Sequence, residues 1–208
     1  MLLILGVLPV AVNAGSLESW GWDNHDAVAD TPAGNDFVAV AAGYDHSLAL
    51  KADGSIVSWG YDAYDQVTDT PAGNDFVAVA AGGYHSLALK ADGSIESWGY
   101  DTYDQVTDSP AGTDFIAVAA GGYHSLALKA DGSIVSWGYD AYDLVTDTPA
   151  GNDFVAVAGG LDHSLALKAD GSIVSWGGNF YGMLSNTPTG TDFIAVASGA
   201  YHSLALKA

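Results

Sequence analysis

The sequence of 208 residues repeats itself with a strict period of 39 residues. A period of about 20 to 50 residues is typical of a small supersecondary unit that stacks on copies of itself, so this feature constrains the fold more than any other. One Phe, one His and one Trp mark each of five units: Phe37, Phe76, Phe115, Phe154 and Phe193; His46, His85, His124, His163 and His202; and Trp20, Trp59, Trp98, Trp137 and Trp176.

Each unit is predicted to contain three short strands, as residues 37–75 illustrate. Phe37–Ala42 is an apolar run, His46–Lys51 alternates between apolar and polar residues, and Ser55–Trp59 forms a third run. The dipeptide Asp53-Gly54 predicts a type I′ hairpin turn between the second and third strands. No segment has the periodicity of an amphipathic helix, so the chain is predicted to be all-β.

The rest of the unit, from Gly60 to Asp75, is rich in turn residues and has room for a short outer strand around Gln66–Thr68. Three to four antiparallel strands per unit, repeated, are typical of the blades of a β-propeller. Leu48 and Leu50 have leucine at the equivalent positions of all other units, which makes these leucines the predicted contacts between blades.

The two ends of the repeat region are complementary. Ser16–Trp20 resembles a third strand without its partners, and Phe193–Ala208 resembles two strands without their third. Ala208 beside Gly15 would complete a blade, so residues 15–208 are predicted to form one five-bladed propeller domain, closed by pairing the N- and C-terminal strands. The alternative is that the gene fragment simply stops there.

The charge of the chain restricts its partners. It has 25 acidic residues against five Lys and no Arg, with a formal net charge of −20. Binding to a nucleic-acid backbone or to an anionic membrane requires a basic surface, so neither is an expected partner. Cations, basic proteins and neutral sugars remain as expected partners. The absence of cysteine excludes thiol catalysis and disulfide bonds.

The first 14 residues are predicted to be a signal peptide. They contain an apolar run from Leu2 to Val12 and end in Val12-Asn13-Ala14, a pattern that suits signal peptidase. Cleavage after Ala14 would release a secreted or cell-surface protein with no membrane span. The alternatives are a misplaced start codon and a buried strand.

Two sets of polar residues invite a metal-site hypothesis. The five repeated histidines bind zinc only if three or four of them converge on one ion. The other interpretation is that these histidines, like the repeated tryptophans, are structural. Loop acids such as Asp62 and Asp65 offer oxygen ligands for calcium, but their spacing matches no calcium-binding loop, and roles in turns explain them as well. No metal and no cofactor is predicted.

Aromatic residues follow the Trp-Gly pairs and are the candidate binding residues. Exposed Tyr and Trp give rigid contact area with a polar tip, which suits protein partners and sugars alike. The alternative interpretation is that these rings fill gaps between blades. The candidates are Trp22, Tyr61, Tyr64, Tyr100, Tyr103, Tyr139, Tyr142 and Tyr181.

Catalytic residues are not predicted. Ser47 adjoins His46, but neighbours on a strand point to opposite faces and form no nucleophile–base pair. The sequence contains no nucleophile elbow, phosphate-binding loop or H-E-x-x-H motif. We therefore do not expect an enzyme.

The repeated pattern G-x-x-H-S-L-A-L-x-x-D-G-S-I-x-S-W-G, seen from Gly43 to Gly60, resembles the repeat of the regulator of chromosome condensation family. The likeness extends over residues 15–208 and is closest to short-blade bacterial propellers that include a beta-lactamase inhibitory protein. It implies a β-propeller that acts as a binding platform.

The chain also departs from that family. Its relatives usually have seven blades, whereas this chain supplies five units. The family's Trp-Gly-x-Asn-x-x-Gly stretch survives at Trp176–Gly182, whereas Asp62 and Asp65 stand at the Asn and Gly positions of another unit. No unit carries a long insertion, so nucleotide-exchange activity is not expected.

Two functions follow as hypotheses. The first is a non-catalytic secreted scaffold that binds a protein partner through the loops after Trp-Gly, as a monomer or small homo-oligomer. The alternative is a multivalent carbohydrate-binding lectin with one site per blade. Capture of a protein partner, or a glycan array, separates the two.

Overall fold

The computed structural model describes residues 14–208, and fourteen short strands dominate it. Two 3₁₀ turns, Asn24–Asp26 and Ala141–Asp143, are the helical elements of the described residues. The strands are β1 (Phe37–Ala42), β2 (His46–Lys51), β3 (Ile56–Gly60), β4 (Phe76–Ala81), β5 (His85–Lys90), β6 (Ile95–Gly99), β7 (Phe115–Ala120), β8 (His124–Lys129), β9 (Ile134–Gly138), β10 (Phe154–Gly159), β11 (His163–Lys168), β12 (Ile173–Gly177), β13 (Phe193–Ser198) and β14 (Ser203–Lys207).

The strands form five antiparallel sheets, which we number as blades 1 to 5 in chain order. Blades 1 to 4 have three strands each, in the order in which they occur along the chain, and blade 5 has only β13 and β14. The first strand of each blade is the inner one, because it packs against the first strand of the following blade. The all-β prediction of repeated antiparallel blades is confirmed.

The predicted hairpin between the second and third strands is present, but its turn type differs from the prediction. Gly54 has φ +85°, whereas Ala52 and Asp53 do not have positive φ, so this is not a type I′ turn. The Lys51 amide donates a hydrogen bond to the Ser55 carbonyl and so closes a three-residue loop, whose last residue, Gly54, is in the left-handed conformation. The Asp53 carboxylate accepts hydrogen bonds from the amide and hydroxyl of Ser55, which stabilises the loop.

The possible outer strand at Gln66–Thr68 is not formed, and the segment is a turn. The Asp62 carboxylate accepts hydrogen bonds from the amides of Val67 and Thr68 at 2.8 and 2.9 Å, and these amides are therefore not available to a sheet. Each complete blade has three strands.

The predicted contacts between blades are confirmed for the interior of the array. Leu48 and Leu50 of blade 1 lie in one buried cluster with Phe76 and Trp98 of blade 2. Trp98 also donates its indole N–H to the carbonyl of Gln66, in the loop before blade 2, at 2.9 Å. The same indole bond recurs at Trp59, Trp137 and Trp176.

The predicted closure of the ring is corrected within the described residues. β14 pairs with β13 alone, and Ser16–Trp20 forms no strand. Gly15 instead forms an antiparallel bridge with Phe37, in the place that Gly54 takes against Phe76. This bridge holds the first segment against blade 1, where Leu17 packs, rather than beside β14.

The predicted signal peptide, residues 1–14, lies outside the described residues except for Ala14. Across residues 14–208, no helix has the length and apolarity that crossing a membrane requires.

Candidate binding face

The order of strands places two sets of loops on one face of the array. The inner strand of each blade ends at a tight turn before the repeated His position, and the third strand of blades 1 to 4 ends at Trp-Gly on the same side. We call this side the Trp-Gly face. The opposite side carries the Asp-Gly turns and the Lys residue at the end of each second strand.

The Asp after each Trp-Gly holds its loop in shape. The carboxylates of Asp62, Asp101 and Asp140 each accept hydrogen bonds from two loop amides and from a threonine hydroxyl. Burial alone would raise the pKa of Asp62, but the bonds from Thr68 and Val67 outweigh it and the pKa is lowered. These carboxylates stabilise the loop, and most of their oxygen atoms already accept hydrogen bonds within it.

The second loop acid takes the place of a glycine. Asp65 has φ +61° and Asp104 has φ +60°, where Gly182 of the last loop has φ +78°. Asp is among the few residues that tolerate this left-handed conformation. The departure from the family pattern noted in the sequence therefore preserves the backbone conformation of the loop.

Seven tyrosine rings on the Trp-Gly face contact one another from blade 1 to blade 3. We call this group the tyrosine surface. Tyr64 and Tyr100, which belong to successive loops, have ring centroids 4.8 Å apart, and Tyr103 and Tyr139 repeat this contact at 4.5 Å. The members are Tyr61, Tyr64, Tyr84, Tyr100, Tyr103, Tyr123 and Tyr139.

The sequence prediction missed two members of this surface. Tyr84 and Tyr123 lie in the inner turns, immediately before the repeated His, and their centroids are 6.2 Å apart. Each contacts rings of the Trp-Gly loops on both sides. The signal was present in the sequence, because in a three-stranded antiparallel blade the first turn and the end of the third strand lie at the same edge.

The remaining candidates lie outside the tyrosine surface. Tyr142 contacts Phe180 at 4.7 Å, and Tyr181 contacts Tyr201 at 5.3 Å on blade 5. Trp22 is 84% exposed and lies beside the first segment and blade 1. The surface ends there because Asp162 and Gly178 stand where earlier units have tyrosines.

A further tyrosine, Tyr44, contacts Tyr84 of the tyrosine surface, with ring centroids 5.3 Å apart. The inner turns of all five blades converge on a cavity of about 240 Å³, which Tyr44 and Leu161 help to line. A Cβ on Gly83 would lie 2.8 Å from the Tyr44 ring, so the small residue makes room for it. Burial, followed by the neighbouring Tyr123, raises the pKa of Tyr44 to about 12, and its hydroxyl stays protonated at neutral pH.

A second cavity opens at the blade 1 end of the tyrosine surface. It has a volume of about 410 Å³, and we call it the Asp45 cavity. Burial and then the neighbouring Tyr64 raise the pKa of Tyr61, so its hydroxyl stays protonated at neutral pH. The lining residues are His25, Asp45, Tyr61, Tyr64, Tyr84, Tyr100 and Tyr123.

Four of the five repeated histidines lie between the blades, whereas His202 of blade 5 is exposed. His85 Nε2 is 2.9 Å from the Ser125 hydroxyl of the next blade, and His124 Nε2 is 2.8 Å from that of Ser164. These contacts join residues 40 apart, so the comparison of adjacent Ser and His in the sequence did not reveal them. His46 and His163 make the equivalent contacts with Ser86 and Ser203.

The interior Ser–His contacts do not form an accessible catalytic dyad. His85, Ser125, His124 and Ser164 are all 0% exposed, so no substrate reaches them. Burial, followed by the charge of His163, lowers the pKa of His124 to about 4, which makes the imidazole a weak base at neutral pH. In the part of the chain that the structure describes, no three potential ligands group into a metal site.

The five Lys residues lie on the side away from the tyrosine surface. Each Lys pairs with a carboxylate, as Lys129 does with Asp114 at 3.3 Å, and each lies above a phenylalanine ring of its blade. Because the chain has five Lys and no Arg in total, the Trp-Gly face carries carboxylates without either basic residue.

Comparison with solved structures shows similar architectures. The ectodomain of the receptor kinase CR4 from Physcomitrella patens is 26% identical, with a TM-score of 0.69, over 84% of this chain and 48% of that one. Prp20p from Saccharomyces cerevisiae is 21% identical, with a TM-score of 0.70, over 92% and 63%. Human WBSCR16 is 22% identical, with a TM-score of 0.69, over 94% and 65%.

The chain thus spans less than two thirds of the length of each of these structures. No curated protein matches the sequence. The predicted likeness to bacterial beta-lactamase inhibitory propellers stays a prediction. The model of the family described as "Regulator of chromosome condensation (RCC1) repeat" matches residues 37–66, 76–105, 115–143 and 154–182, which together make more than half of the chain. The chain therefore belongs to the RCC1 repeat family.

Proposed function

We propose that the chain is a non-catalytic binding scaffold, secreted or at the cell surface, that recognises a protein partner through the tyrosine surface. The observation that carries the proposal is the continuity of that surface, in which rings from three successive blades touch. Tyrosine gives a large, rigid contact area at low entropic cost, which is why it is enriched in protein–protein contacts.

The exposure of the rings supports this function over a role in filling gaps. Tyr64 is 42% exposed and Tyr103 39%, and both stand above rings that are half-buried. The interior of the blades is filled by Leu, Phe and Trp instead. Exposed rings that pack against half-buried rings form a rigid surface that a partner can contact.

The similar structures support the same function. CR4 is a receptor kinase whose matching part is its ectodomain, and Prp20p has binding properties to Gsp1p and histones. Binding by those proteins motivates a binding role here, while the partner of this chain is set by its own surface. An extracellular location agrees with the signal-peptide pattern of residues 1–14.

A triple variant tests the proposal. Tyr61→Ala, Tyr100→Ala and Tyr139→Ala together remove the half-buried base of the tyrosine surface. We expect partner capture from the culture medium of the producing cells to fall at least tenfold, since central aromatic contacts are typically worth about 2 kcal/mol or more each. Circular dichroism of both proteins verifies that the variant is folded.

Tyr142→Ala with Tyr181→Ala is the matched control, because these tyrosines lie outside the tyrosine surface. We expect this control to retain the partner. Unchanged recovery by the folded triple variant contradicts the proposal.

A multivalent lectin is the second candidate, favoured by the recurrence of a tyrosine followed by a carboxylate at Tyr61-Asp62, Tyr100-Asp101 and Tyr139-Asp140. Those carboxylates already accept the loop amides, which leaves few free oxygens for a sugar. A glycan array with free-sugar competition separates the candidates, because repeated sites produce strong avidity that free monosaccharide reverses.

A further inference from the structure

The Asp45 cavity lies where blade 1 has a short acidic residue in place of the tyrosine of blades 2 and 3. Positions 45 and 162 hold Asp, whereas the equivalent residues Tyr84, Tyr123 and Tyr201 carry rings. The shorter side chain leaves open the space beside Tyr61 and Tyr84 and places a carboxylate at its wall. The Asp45 cavity therefore combines a carboxylate with mainly aromatic walls.

The carboxylate of Asp45 differs from those of the loop acids. Asp62, Asp101 and Asp140 accept several hydrogen bonds within their own loops. Among residues 14–208, the Asp45 carboxylate accepts no hydrogen bond and has no salt-bridge partner, and the residue is half-buried. Only its backbone carbonyl is used, by the amide of Tyr61. The side chain is therefore available to a ligand.

The aromatic rings and the carboxylate of the walls favour a cation, and the one histidine of the lining, His25, packs edge-on against Tyr61 with ring centroids 4.5 Å apart. Phenol rings attract an organic cation to their faces, and a carboxylate adds an ion pair. Tyr64 and Tyr100 stand at 67° to each other, so the two ring planes face different directions around the cavity. The Lys residues of the chain lie on the far side, paired with carboxylates, and do not compete for Asp45.

We propose that the Asp45 cavity binds the cationic side chain of a Lys or Arg residue on the protein partner. This inference rests on the proposed function and names the chemistry that the partner presents. The volume of about 410 Å³ is near the lower end of ligand sites, which suits one long side chain rather than a large ligand. The overall charge of −20 draws a basic partner toward the face.

Small cations test the site without any partner. N-acetyl-arginine amide and N-acetyl-lysine amide are titrated into the full chain, with neutral N-acetyl-glutamine amide as the matched probe. NMR of ¹³C-labelled tyrosine reports binding at the rings. Salt at about 0.15 M screens the general attraction of an acidic protein for cations beyond about 8 Å. We expect saturable shifts with the two cations and none with the neutral amide.

Three variants locate the site. Asp45→Asn keeps the size of the side chain and removes its charge, and we expect about fivefold weaker binding or more. Asp45→Tyr places in the cavity the ring that blades 2 and 3 already carry, and we expect binding to be lost. Asp162→Asn is the control, because Asp162 occupies the same position in its unit but lies outside the cavity; less than a twofold change is expected.

A short peptide distinguishes a partner's side chain from a free small cation. A pentapeptide with one central Arg should bind at least tenfold more tightly than N-acetyl-arginine amide, since its flanking residues reach the exposed tyrosines. Equal affinities overturn the assignment to a partner. Equal loss in Asp45→Asn and Asp162→Asn, or equal binding of the neutral amide, overturns the site itself.

These outcomes are separate from the test of the proposed function. If the triple tyrosine variant loses its partner while the cations do not bind, the proposed protein-binding function is supported and the cation site is contradicted. If the cations bind at Asp45 while the folded triple variant retains its partner, the proposed binding through the tyrosine surface is contradicted instead.

Discussion

Blade 2 and blade 5 contain the same hexapeptide, His-Ser-Leu-Ala-Leu-Lys, in opposite surroundings. At His85–Lys90 every residue before the lysine is buried, whereas Ser203–Lys207 is exposed throughout. The local backbone is the same β-strand in both. Burial of this segment is therefore decided by the neighbouring unit that covers it, as expected for a repeat array in which each unit contacts mainly its neighbours.

The largest expected difference concerns the leucines. Leu126 is fully buried among Leu128, Phe154 and Trp176, so Leu126→Ala should cost about 2–5 kcal/mol in free energy of unfolding. Leu204 is the equivalent residue of blade 5 and is 64% exposed, so Leu204→Ala should cost less than about 0.5 kcal/mol. Urea denaturation of the two variants measures both. Equal losses would contradict the comparison and indicate that blade 5 is covered in solution.

The next effect is on the pH dependence of stability. Burial lowers the pKa of His124 to about 4 in the folded chain, from 6.5 when unfolded. The unfolded chain binds the proton first, so the contribution of His124 to stability is complete above pH 6.5 and is lost as the pH falls toward 4. That loss is of the order of 3 kcal/mol.

His124→Gln should remove this part of the acid sensitivity, and His202→Gln should leave it unchanged because His202 is exposed. Urea midpoints at several pH values between 7 and 4 provide the measurement. Protonation of the acidic residues at low pH relieves their mutual repulsion equally in the parent chain and in both variants, so this effect cancels when their pH slopes are compared. An identical pH slope for His124→Gln and the parent chain would contradict the prediction.

The smallest effect concerns the indole bonds. Trp137 donates its Nε1–H to the Gln105 carbonyl at 2.9 Å within a buried contact, so Trp137→Phe should cost about 1–3 kcal/mol. Trp20 is 86% exposed, and Trp20→Phe should stay within about 0.5 kcal/mol of the parent. Thermal and urea denaturation compare the two. A large cost for Trp20→Phe would reveal a partner for the first segment.

The strands and the contacts between blades could be predicted because they depend on local pattern. Phe37–Ala42 and His46–Lys51 were located to the residue, since alternation and turn residues bound them. The type of the Asp53-Gly54 turn could not, because both turn types favour this dipeptide. The pairing of the two ends could not be predicted reliably, because their complementarity does not exclude the bridge that Gly15 forms with Phe37 of blade 1 instead.

Five of the seven residues of the tyrosine surface could be predicted, and two depended on the structure. The repeat alone revealed five of them, because Tyr61, Tyr100 and Tyr139 directly follow Trp-Gly and Tyr64 and Tyr103 come three residues later. Tyr84 and Tyr123 required knowledge of which loops share an edge. Asp45 was missed because it replaces a ring, and a departure within a repeat resembles ordinary variation until the cavity beside it is seen.

The Ser–His and indole contacts also have an evolutionary consequence. Each joins a unit only to the next one along the chain, at fixed separations of 40 and 32 residues. A recombination event that duplicates or deletes one whole 39-residue copy would leave every remaining junction chemically identical. Genes built this way can change the length of the protein, and with it the number of presented tyrosines, without having to invent a new interface.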